Sequence, residues 1–451
     1  MLDREIFREY DIRGIADTQL TTDGVRGLGR AIGTFLKRRS GPNLTLGRDV
    51  RLSSPRLRDA MADGLLSTGA NVTDLGPVPT PLLYFSAFHL HGDGGVMITG
   101  SHNPAEFNGF KTMLGKTTIH GSDIQEVYRI LKDEDFESGS GTLRTVDLVP
   151  AYVEDVAPRF NLSRRIRVVV DNGNGAGGHA ARALFARMNV EIVELFFEPD
   201  GRFPNHHPDP TVESNLEILK QKVQETGAVM GLAFDGDTDR LGAVDELGSV
   251  IWGDQLMLIY GRQILKASPG ATIIGEVKCS QVMYDELKRL GANAVMYKTG
   301  HSLIKAKMKE TKALLAGEMS GHLFFADRYY GFDDALYSAC RLIEIVAESG
   351  QPLSRQLAGL PKMVNTPEIR VDCPDGQKAA VVARVKEYFR GKREFDDVDG
   401  VRVKFPKGWG LVRSSNTQPI LVTRYEAETP ALLQEYRQEV EQAIEEAQAA
   451  V

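Results

Sequence analysis

The apolar positions of this chain follow two recurring rhythms. Short unbroken runs such as Val96, Met97 and Ile98 read as strands buried on both faces. Leu57, Met61 and Leu65 recur at every fourth position, the spacing of one helix face. The two rhythms combine into a unit that comes three times. In the first, Leu44-Thr-Leu-Gly-Arg-Asp49 is a strand ending in a polar turn, followed by that helix and a second strand over 69–75. The next runs from Ile166 into Asp171-Asn-Gly-Asn-Gly175, continues as a helix through Ala180, Leu184 and Phe185, and restarts as a strand over 188–193. The third has a strand over 272–278, a helix through Val282, Leu287 and Leu290, and a strand over 291–296. Strand, helix, and strand restarting at a small-residue turn is the composition of a βαβ crossover in a mixed or parallel sheet.

Three such units, with Asn71, Asn189 and Asn293 at equivalent turns, predict three similar α/β domains in one chain. A helix over 24–37 precedes the first unit. The remainder begins with alternating strand-like stretches and ends in an acidic amphipathic helix over 430–449, a smaller α+β domain of another type. The expected divisions are 1–149, 150–249, 250–365 and 366–451, arranged around a central cleft.

A length of 451 residues suits several domains, and 42% hydrophobic with 25% charged residues is ordinary for a globular protein with a large core. With 54 basic against 61 acidic side chains, the net charge of -7 argues against a dedicated nucleic-acid binder. An anionic substrate must then be met by local cations. Cys279, Cys340 and Cys373 are widely spaced, which suits free thiols in a reducing cytosol and disfavours a disulfide framework or a cysteine zinc site. No apolar run approaches the roughly 20 residues of a membrane span, and the first residues carry no apolar signal segment.

Chemistry enters at 94–111. After the run at Val96, Gly100 is expected to let the backbone turn sharply and Pro104 to end the loop, with Ser101 at the tip, His102 beside it and Lys111 further on. A hydroxyl on a tight post-strand turn, near a base and a cation, is how a covalent nucleophile is displayed. On this stretch alone, a polar loop satisfying its own backbone remains an equal reading. Asp235-Gly-Asp-Thr-Asp-Arg240 follows a strand over 229–234, and in an extended loop its alternating carboxylates point one way. Crowded carboxylates repel unless a cation neutralises them, and all-oxygen ligation selects a hard ion, Mg²⁺ or Ca²⁺. An EF-hand fails, because Arg240 stands where its glycine is needed. A metal-free Asx-rich turn stays open.

Three further loops are weaker singly. Tyr297-Lys-Thr-Gly-His301 presents His301. Gly317-Glu-Met-Ser-Gly-His322 sets Glu318 and Ser320 between glycines, as reading a diol requires. Gly410-Leu-Val-Arg-Ser-Ser-Asn-Thr-Gln-Pro419 combines the fork of Arg413 with Ser415, Asn416 and Thr417, an inventory fitted to a phosphate dianion or to a plain hairpin turn.

Together, the motifs Thr99-Gly-Ser-His-Asn-Pro104, Asp235-Gly-Asp-Thr-Asp-Arg240, Gly317-Glu-Met-Ser-Gly-His322 and Arg413-Ser-Ser-Asn-Thr-Gln-Pro419 resemble, in order, the phosphoserine, metal, sugar and phosphate loops of the α-D-phosphohexomutases. Met319 is similar to the phosphomannomutase/phosphoglucomutase branch, whereas the phosphoglucosamine branch typically carries Gln there. The resemblance implies a fourth domain folded like the TATA-binding protein, and Ser101 carried as phosphoserine with Mg²⁺ held by its phosphate and by Asp235, Asp237 and Asp239. It further implies that Tyr10, Arg13, Arg240, Lys278, Thr299 and His301 meet the phosphosugar or assist catalysis. His102 and Lys111 fall near the phosphoserine, with Lys111 a candidate general acid/base.

The implied reaction interconverts hexose 1- and 6-phosphates of mannose, glucose or both, through a hexose 1,6-bisphosphate that turns over in the cleft. The implied protein is a cytoplasmic monomer whose partner is a small phosphosugar. A phosphoglucosamine mutase and a metal-dependent sugar phosphatase are the alternatives.

Overall fold

In the computed structural model, which describes residues 2–416 and 418–451, the chain builds four sheets, the first three of them mixed. The first is ordered Ile12–Ile15, Phe107–Leu114, Gly94–Ile98, Asn43–Arg48, Asn71–Pro77, Leu143–Thr145, with Thr117–Thr118 paired to Phe107–Leu114. The second is ordered Val250–Ile251, Leu241–Asp245, Met230–Phe234, Arg167–Asp171, Glu191–Leu195. The third is ordered Asn293–Tyr297, Thr272–Glu276, Leu315–Gly317, Leu323–Phe325.

A common unit underlies all three. Three strands joined through helices lie parallel, and the last of them returns antiparallel as a hairpin. The repeat is therefore one strand pair longer than its βαβ opening, and the added hairpin carries the candidate chemistry. The turns at 99–106, 235–240 and 318–322 occupy the same place in successive domains. The fourth sheet is antiparallel throughout, and helices Asp375–Phe389 and Pro430–Ala449 bury Val381, Val385, Tyr436 and Val440 against it. Gly408–Ser414 and Ile420–Ala427 pair antiparallel there, with Ser415, Asn416 and Gln418 between them. The expected architecture, three similar α/β domains and a smaller α+β domain, is the one observed.

Local sequence explains the elements. Helix Ser54–Ser67 starts with a proline in its first turn, and Leu57, Met61 and Leu65 are fully buried. Helix Gln281–Arg289 starts from Ser280, whose Oγ accepts the Val282 N–H. It stops one residue before Leu290, which is 36% exposed and does not join the helix's buried face, because Gly291 takes a left-handed conformation (φ 88°). Asn71 and Asn293 open their strands in matching register, opposite Asn43 and Thr272. Asn189 differs: it lies ahead of Glu191–Leu195 in a left-handed turn (φ 58°), so the strand expected from 188 starts later.

The first three domains share one apolar core, running from Tyr84 and Phe85 through Tyr152 and Val168 to Leu256 and Tyr337. The fourth has its own core and meets the third through a small contact of Val277, Trp409 and Leu411. There the Arg402 guanidinium lies 4.0 Å from the Trp409 ring and donates to Cys279 O at 3.1 Å. No helix among the described residues is long and apolar enough to cross a membrane.

Candidate active site

Strand Gly94–Ile98 delivers the chain to Ser101, which is 2% exposed and is enclosed rather than displayed at a tip. The left-handed conformation falls on Ser101 itself (φ 48°), whereas the expectation placed the sharp turn at Gly100. Gly100 is required for another reason: a Cβ there would lie 2.5 Å from Arg51 Cζ. Ser101 Oγ donates to Asp235 Oδ2 at 2.7 Å and lies 3.2 Å from His102 Nδ1. Burial, reinforced by Arg240 and Arg13, pushes the His102 imidazole well below its ordinary range and keeps it neutral. Arg13 is tied to the same loop, donating to Asn103 Oδ1 at 2.7 Å and to Asp11 Oδ2 at 2.5 Å.

The aspartate loop is a turn, not the extended segment that alternation suggested. Asp235 Oδ1 accepts the backbone N–H groups of Asp239 and Arg240, each at 3.1 Å, which draws the chain round, and Thr238 is left-handed (φ 62°). The carboxylates converge all the same. Ligand oxygens of Asp235, Asp237 and Asp239 lie within 4.8 Å of one another, and all three residues are fully buried. Lys111 Nζ donates to Asp237 Oδ2 at 2.7 Å and to Asp239 Oδ2. Burial alone would lower the Lys111 ammonium, but Asp237 and Asp239 outweigh it and hold the group above its ordinary value. Burial and the neighbouring carboxylates raise Asp235, while Lys111 overcomes burial and lowers Asp237.

Asp237 Oδ1 and Asp239 Oδ1 are buried with no hydrogen-bond partner. Unspent carboxylate oxygens in an all-oxygen group fit a hard divalent cation. Asp239, His322 and Asp333 approach one another as closely, but proton bookkeeping weighs against a second metal there. Arg240 Nε donates to His322 Nε2 at 3.0 Å, which leaves the ring proton on Nδ1, 3.1 Å from Asp333 Oδ2. Lys305 Nζ, at 3.0 Å from Asp333 Oδ1, supplies a cation already.

The sugar-loop candidates are joined to the His301 loop. Glu318 Oε1 accepts the Gly300 N–H at 2.7 Å, and Glu318 Oε2 accepts from Ser320 Oγ at 3.0 Å. The His301 ring stacks against His322 with centroids 5.7 Å apart and meets Tyr10 edge-on at 6.1 Å. Burial and Lys305 push His301 well below its ordinary range. Tyr10 donates to Thr299 O at 2.7 Å and accepts from Asn416 Nδ2 of the fourth domain. Gly300 makes this approach available, since a Cβ there would lie 2.5 Å from Tyr10 Cζ.

In the fourth domain Arg413 is buried and donates through Nε to Asp399 Oδ2 at 2.8 Å. Ser415 Oγ accepts the Gln418 N–H at 3.1 Å, and Lys378 Nζ donates to Ser415 O at 2.6 Å, fixing the loop. Thr417 lies outside the described residues. Lys278, from the third domain, donates to Glu368 Oε1 at 2.5 Å; burial would lower its ammonium, but Glu276 and Glu368 hold it up. Contacts thus run unbroken from Ser101 through Asp235, Arg240, His322, His301 and Tyr10 to Asn416, joining all four domains. The roughly 770 Å³ cavity bounded by Arg262, Glu286, Arg289 and Arg355 lies away from these residues.

Several residues of the site escape sequence reasoning. Arg51 and Asp49 grip the serine loop. Glu276 accepts the Met319 N–H at 3.2 Å and the Thr299 hydroxyl. Asp399 holds Arg413, and Asp333 faces His322. All four acids are ordinary surface residues by type, and the loops that they hold include segments distant in sequence, as Asp49 with the Gly100 N–H and Asp399 with the Thr299 N–H.

Comparison with known proteins gives concordant results. The four models described as phosphoglucomutase/phosphomannomutase alpha/beta/alpha domains I, II and III and C-terminal domain match residues 4–138, 150–248, 252–364 and 368–443. A phosphomannomutase/phosphoglucomutase of Pseudomonas putida is 45% identical over 430 residues, 95% of this chain and 93% of that protein. A phosphoglucomutase of Neisseria gonorrhoeae is 43% identical over 447 residues, 98% of this chain and 97% of its own. The crystal structure of a phosphoglucomutase/phosphomannomutase family protein from Burkholderia thailandensis superposes with a TM-score of 0.93 at 42% identity, covering 99% of this chain and 98% of that one. Matched in order by all four domain models and by relatives along nearly its whole length, the chain belongs to the phosphoglucomutase/phosphomannomutase family of α-D-phosphohexomutases.

Proposed function

We propose that this protein interconverts hexose 1-phosphate and hexose 6-phosphate, with mannose and glucose both as substrates, through a phosphoserine at Ser101. What carries the reading is the 2.7 Å hydrogen bond from Ser101 Oγ to Asp235 Oδ2, which joins a nucleophile to a cation-seeking carboxylate cluster. Phospho-Ser101 donates its phosphoryl group to the free hydroxyl of the monophosphate. The bond between phosphorus and Ser101 Oγ breaks, and a bond to the sugar oxygen forms. The proton of that hydroxyl passes to the imidazole of His301, which is stacked on His322. Ser101 Oγ takes up a proton as the phosphoryl group leaves and gives one up when it is rephosphorylated, and His102, 3.2 Å away, is placed to relay that proton. Lys111, bonded to Asp237 and Asp239 behind the serine, supplies charge there and is the candidate general acid/base at that end of the site. Arg13 offsets charge on the transferring group. The hexose 1,6-bisphosphate then turns, and Ser101 recovers the other phosphoryl group.

Asp235, Asp237 and Asp239 would hold Mg²⁺ together with the serine's phosphate. When bound, that ion polarises the phosphoryl oxygens and neutralises developing charge. Arg413, Ser415, Asn416 and Thr417 hold the phosphate that is not reacting, with Tyr10, Lys278 and Thr299 on that side of the cleft, while Arg240, next to Asp235, meets the sugar phosphate at the reacting end. Glu318 and Ser320 read the 3- and 4-hydroxyls. These are equatorial in glucose and mannose alike, so the loop accepts both sugars and both orientations. All the loops come from one chain, so the reading needs no second subunit, and the buried free thiols of Cys279, Cys340 and Cys373 suit a reducing cytoplasm.

The test is conversion of mannose 1-phosphate and glucose 1-phosphate to their 6-phosphates, with Mg²⁺ and a trace of glucose 1,6-bisphosphate, for wild type and Ser101→Ala. Turnover of both sugars that collapses in the variant supports the proposal. Release of inorganic phosphate without isomerisation sinks it in favour of a phosphatase. Turnover of glucosamine 6-phosphate alone would mean the loop at Met319 has been misread.

A further inference from the structure

The loop that carries Ser101 has no ladder of its own. Between Gly94–Ile98 and Phe107–Leu114 it is a succession of turns, with Ser101 in a left-handed conformation that non-glycine residues seldom adopt. Something outside the loop must hold it, and one side chain does so. Arg51 is 1% exposed, and every N–H of its guanidinium is engaged. Nη2 donates to Ser101 O at 2.7 Å and to Asn103 O at 2.6 Å. Nη1 donates to Pro104 O at 2.5 Å and to Phe107 O at 2.9 Å. Nε donates to Asp49 Oδ2 at 3.1 Å, and that oxygen also accepts the Gly100 N–H at 3.1 Å. Asp49 is itself fixed, because its Oδ1 accepts from Ser54 Oγ at 2.5 Å. From the second domain, the Phe203 ring lies 5.2 Å from the guanidinium.

We propose that Arg51, set by Asp49, is a positioning residue for phosphoryl transfer: it fixes the backbone at Ser101 and thereby aims Oγ at the phosphorus. This deepens the reading of Ser101 as the phosphoryl carrier and rests on it. A planar fork reaches four carbonyls spread over seven residues; a lysine ammonium, with three donors at one point, does not. Since Arg51 touches neither sugar nor transferring phosphate, its loss should change the chemical step and leave substrate binding alone.

The readout is the rate at which Ser101 is phosphorylated by glucose 1,6-bisphosphate, followed by intact mass, alongside kcat and KM for glucose 1-phosphate. Arg51→Lys should slow phosphorylation and lower kcat by about 100-fold, the scale of a misplaced reacting atom, with KM within about threefold of wild type. Arg51→Ala should be partly rescued by added guanidinium ion and not by ammonium, at concentrations that leave its melting temperature unchanged. Asp49→Asn, a milder change, should show the same split in kcat if Arg51→Ala does not fold. Phosphorylation of Arg51→Lys at the wild-type rate, or a kcat loss matched by the loss of folded protein, overturns the positioning role. Failure of wild type itself to become phosphorylated on Ser101 overturns the phosphoserine reading, and this inference falls with it.

Discussion

Arg413 donates its Nε–H to Asp399 Oδ2 at 2.8 Å, and the same oxygen accepts the Thr299 backbone N–H at 3.1 Å. A carboxylate on Nε leaves the two terminal nitrogens as a bidentate face, fixed in direction as the proposed phosphate contact requires. It also stitches the fourth domain to the His301 loop. Asp399→Asn should therefore raise KM for the monophosphate about tenfold, equivalent to about 1.4 kcal/mol, while kcat changes by less than about threefold. Arg413→Ala should raise KM further. Steady-state kinetics on both variants decide the point, and an unchanged KM for Arg413→Ala would remove the phosphate-loop assignment.

Lys111 neutralises the aspartate cluster in the absence of a metal, through Asp237 and Asp239. Replacing it with methionine leaves buried carboxylates uncompensated, a change of the most destabilising kind. The Lys111→Met protein should melt well below wild type in EDTA, and millimolar Mg²⁺ should raise its melting temperature more than it raises that of wild type. Equal shifts for the two proteins would show that the cation and the ammonium do not share these carboxylates.

How far the site could be read from sequence follows from where each residue finds its partners. Asp235, Asp237 and Asp239 cluster within one turn, so adjacency along the chain announces proximity in space. The apolar rhythm likewise exposed the βαβ openings, because strand and helix burial are local patterns. It did not expose the hairpin that completes the third unit, since Leu315–Gly317 and Leu323–Phe325 are too short to show alternation. Arg51 follows Asp49 in what reads as a solvated turn, and its partners are carbonyls about 50 residues away, a group that every residue possesses. No residue type marks such a carbonyl. The left-handed conformation of Ser101 is hidden for a related reason: a serine carries no local sign of it, and the Arg51 bond to its carbonyl comes from 50 residues away.

Asp334 offers a pH test apart from catalysis. It caps helix Ala335–Ser349 and, at its carboxylate, accepts the Tyr152 hydroxyl of the second domain at 2.8 Å and that of Tyr329 at 2.7 Å. Burial raises its carboxyl to about 6 from 3.8, although the Tyr337 N–H and both hydroxyls favour the charged form. A carboxyl raised in the folded state binds more protons there than in the unfolded chain, so stability falls as pH climbs from about 4 to about 6 and is level above that. The shift corresponds to about 3 kcal/mol. Asp334→Asn lacks this titration, so its denaturation midpoint relative to wild type should improve between pH 4 and pH 7. A constant difference across that range would show that the carboxyl titrates at its ordinary value.

The Tyr10 hydroxyl links the first, third and fourth domains at the site, donating to Thr299 O and accepting from Asn416 Nδ2. The fourth domain has a separate core and, among the described residues, a small apolar contact with the third, so polar contacts such as this one carry much of its attachment. Tyr10→Phe removes two polar contacts and keeps the ring against His301. On the proposed cycle, a looser closure lets the bisphosphate escape before it has turned, and each escape leaves Ser101 without its phosphoryl group. The variant then depends on bisphosphate from solution to return to the cycle. Half-maximal rate should require about tenfold more added glucose 1,6-bisphosphate than in wild type, the scale of one or two neutral hydrogen bonds. The maximal rate at saturating activator should stay within about threefold. Initial rates titrated with activator separate the cases: an unchanged requirement together with a raised KM would mean that Tyr10 only contacts substrate and does not hold the domains closed.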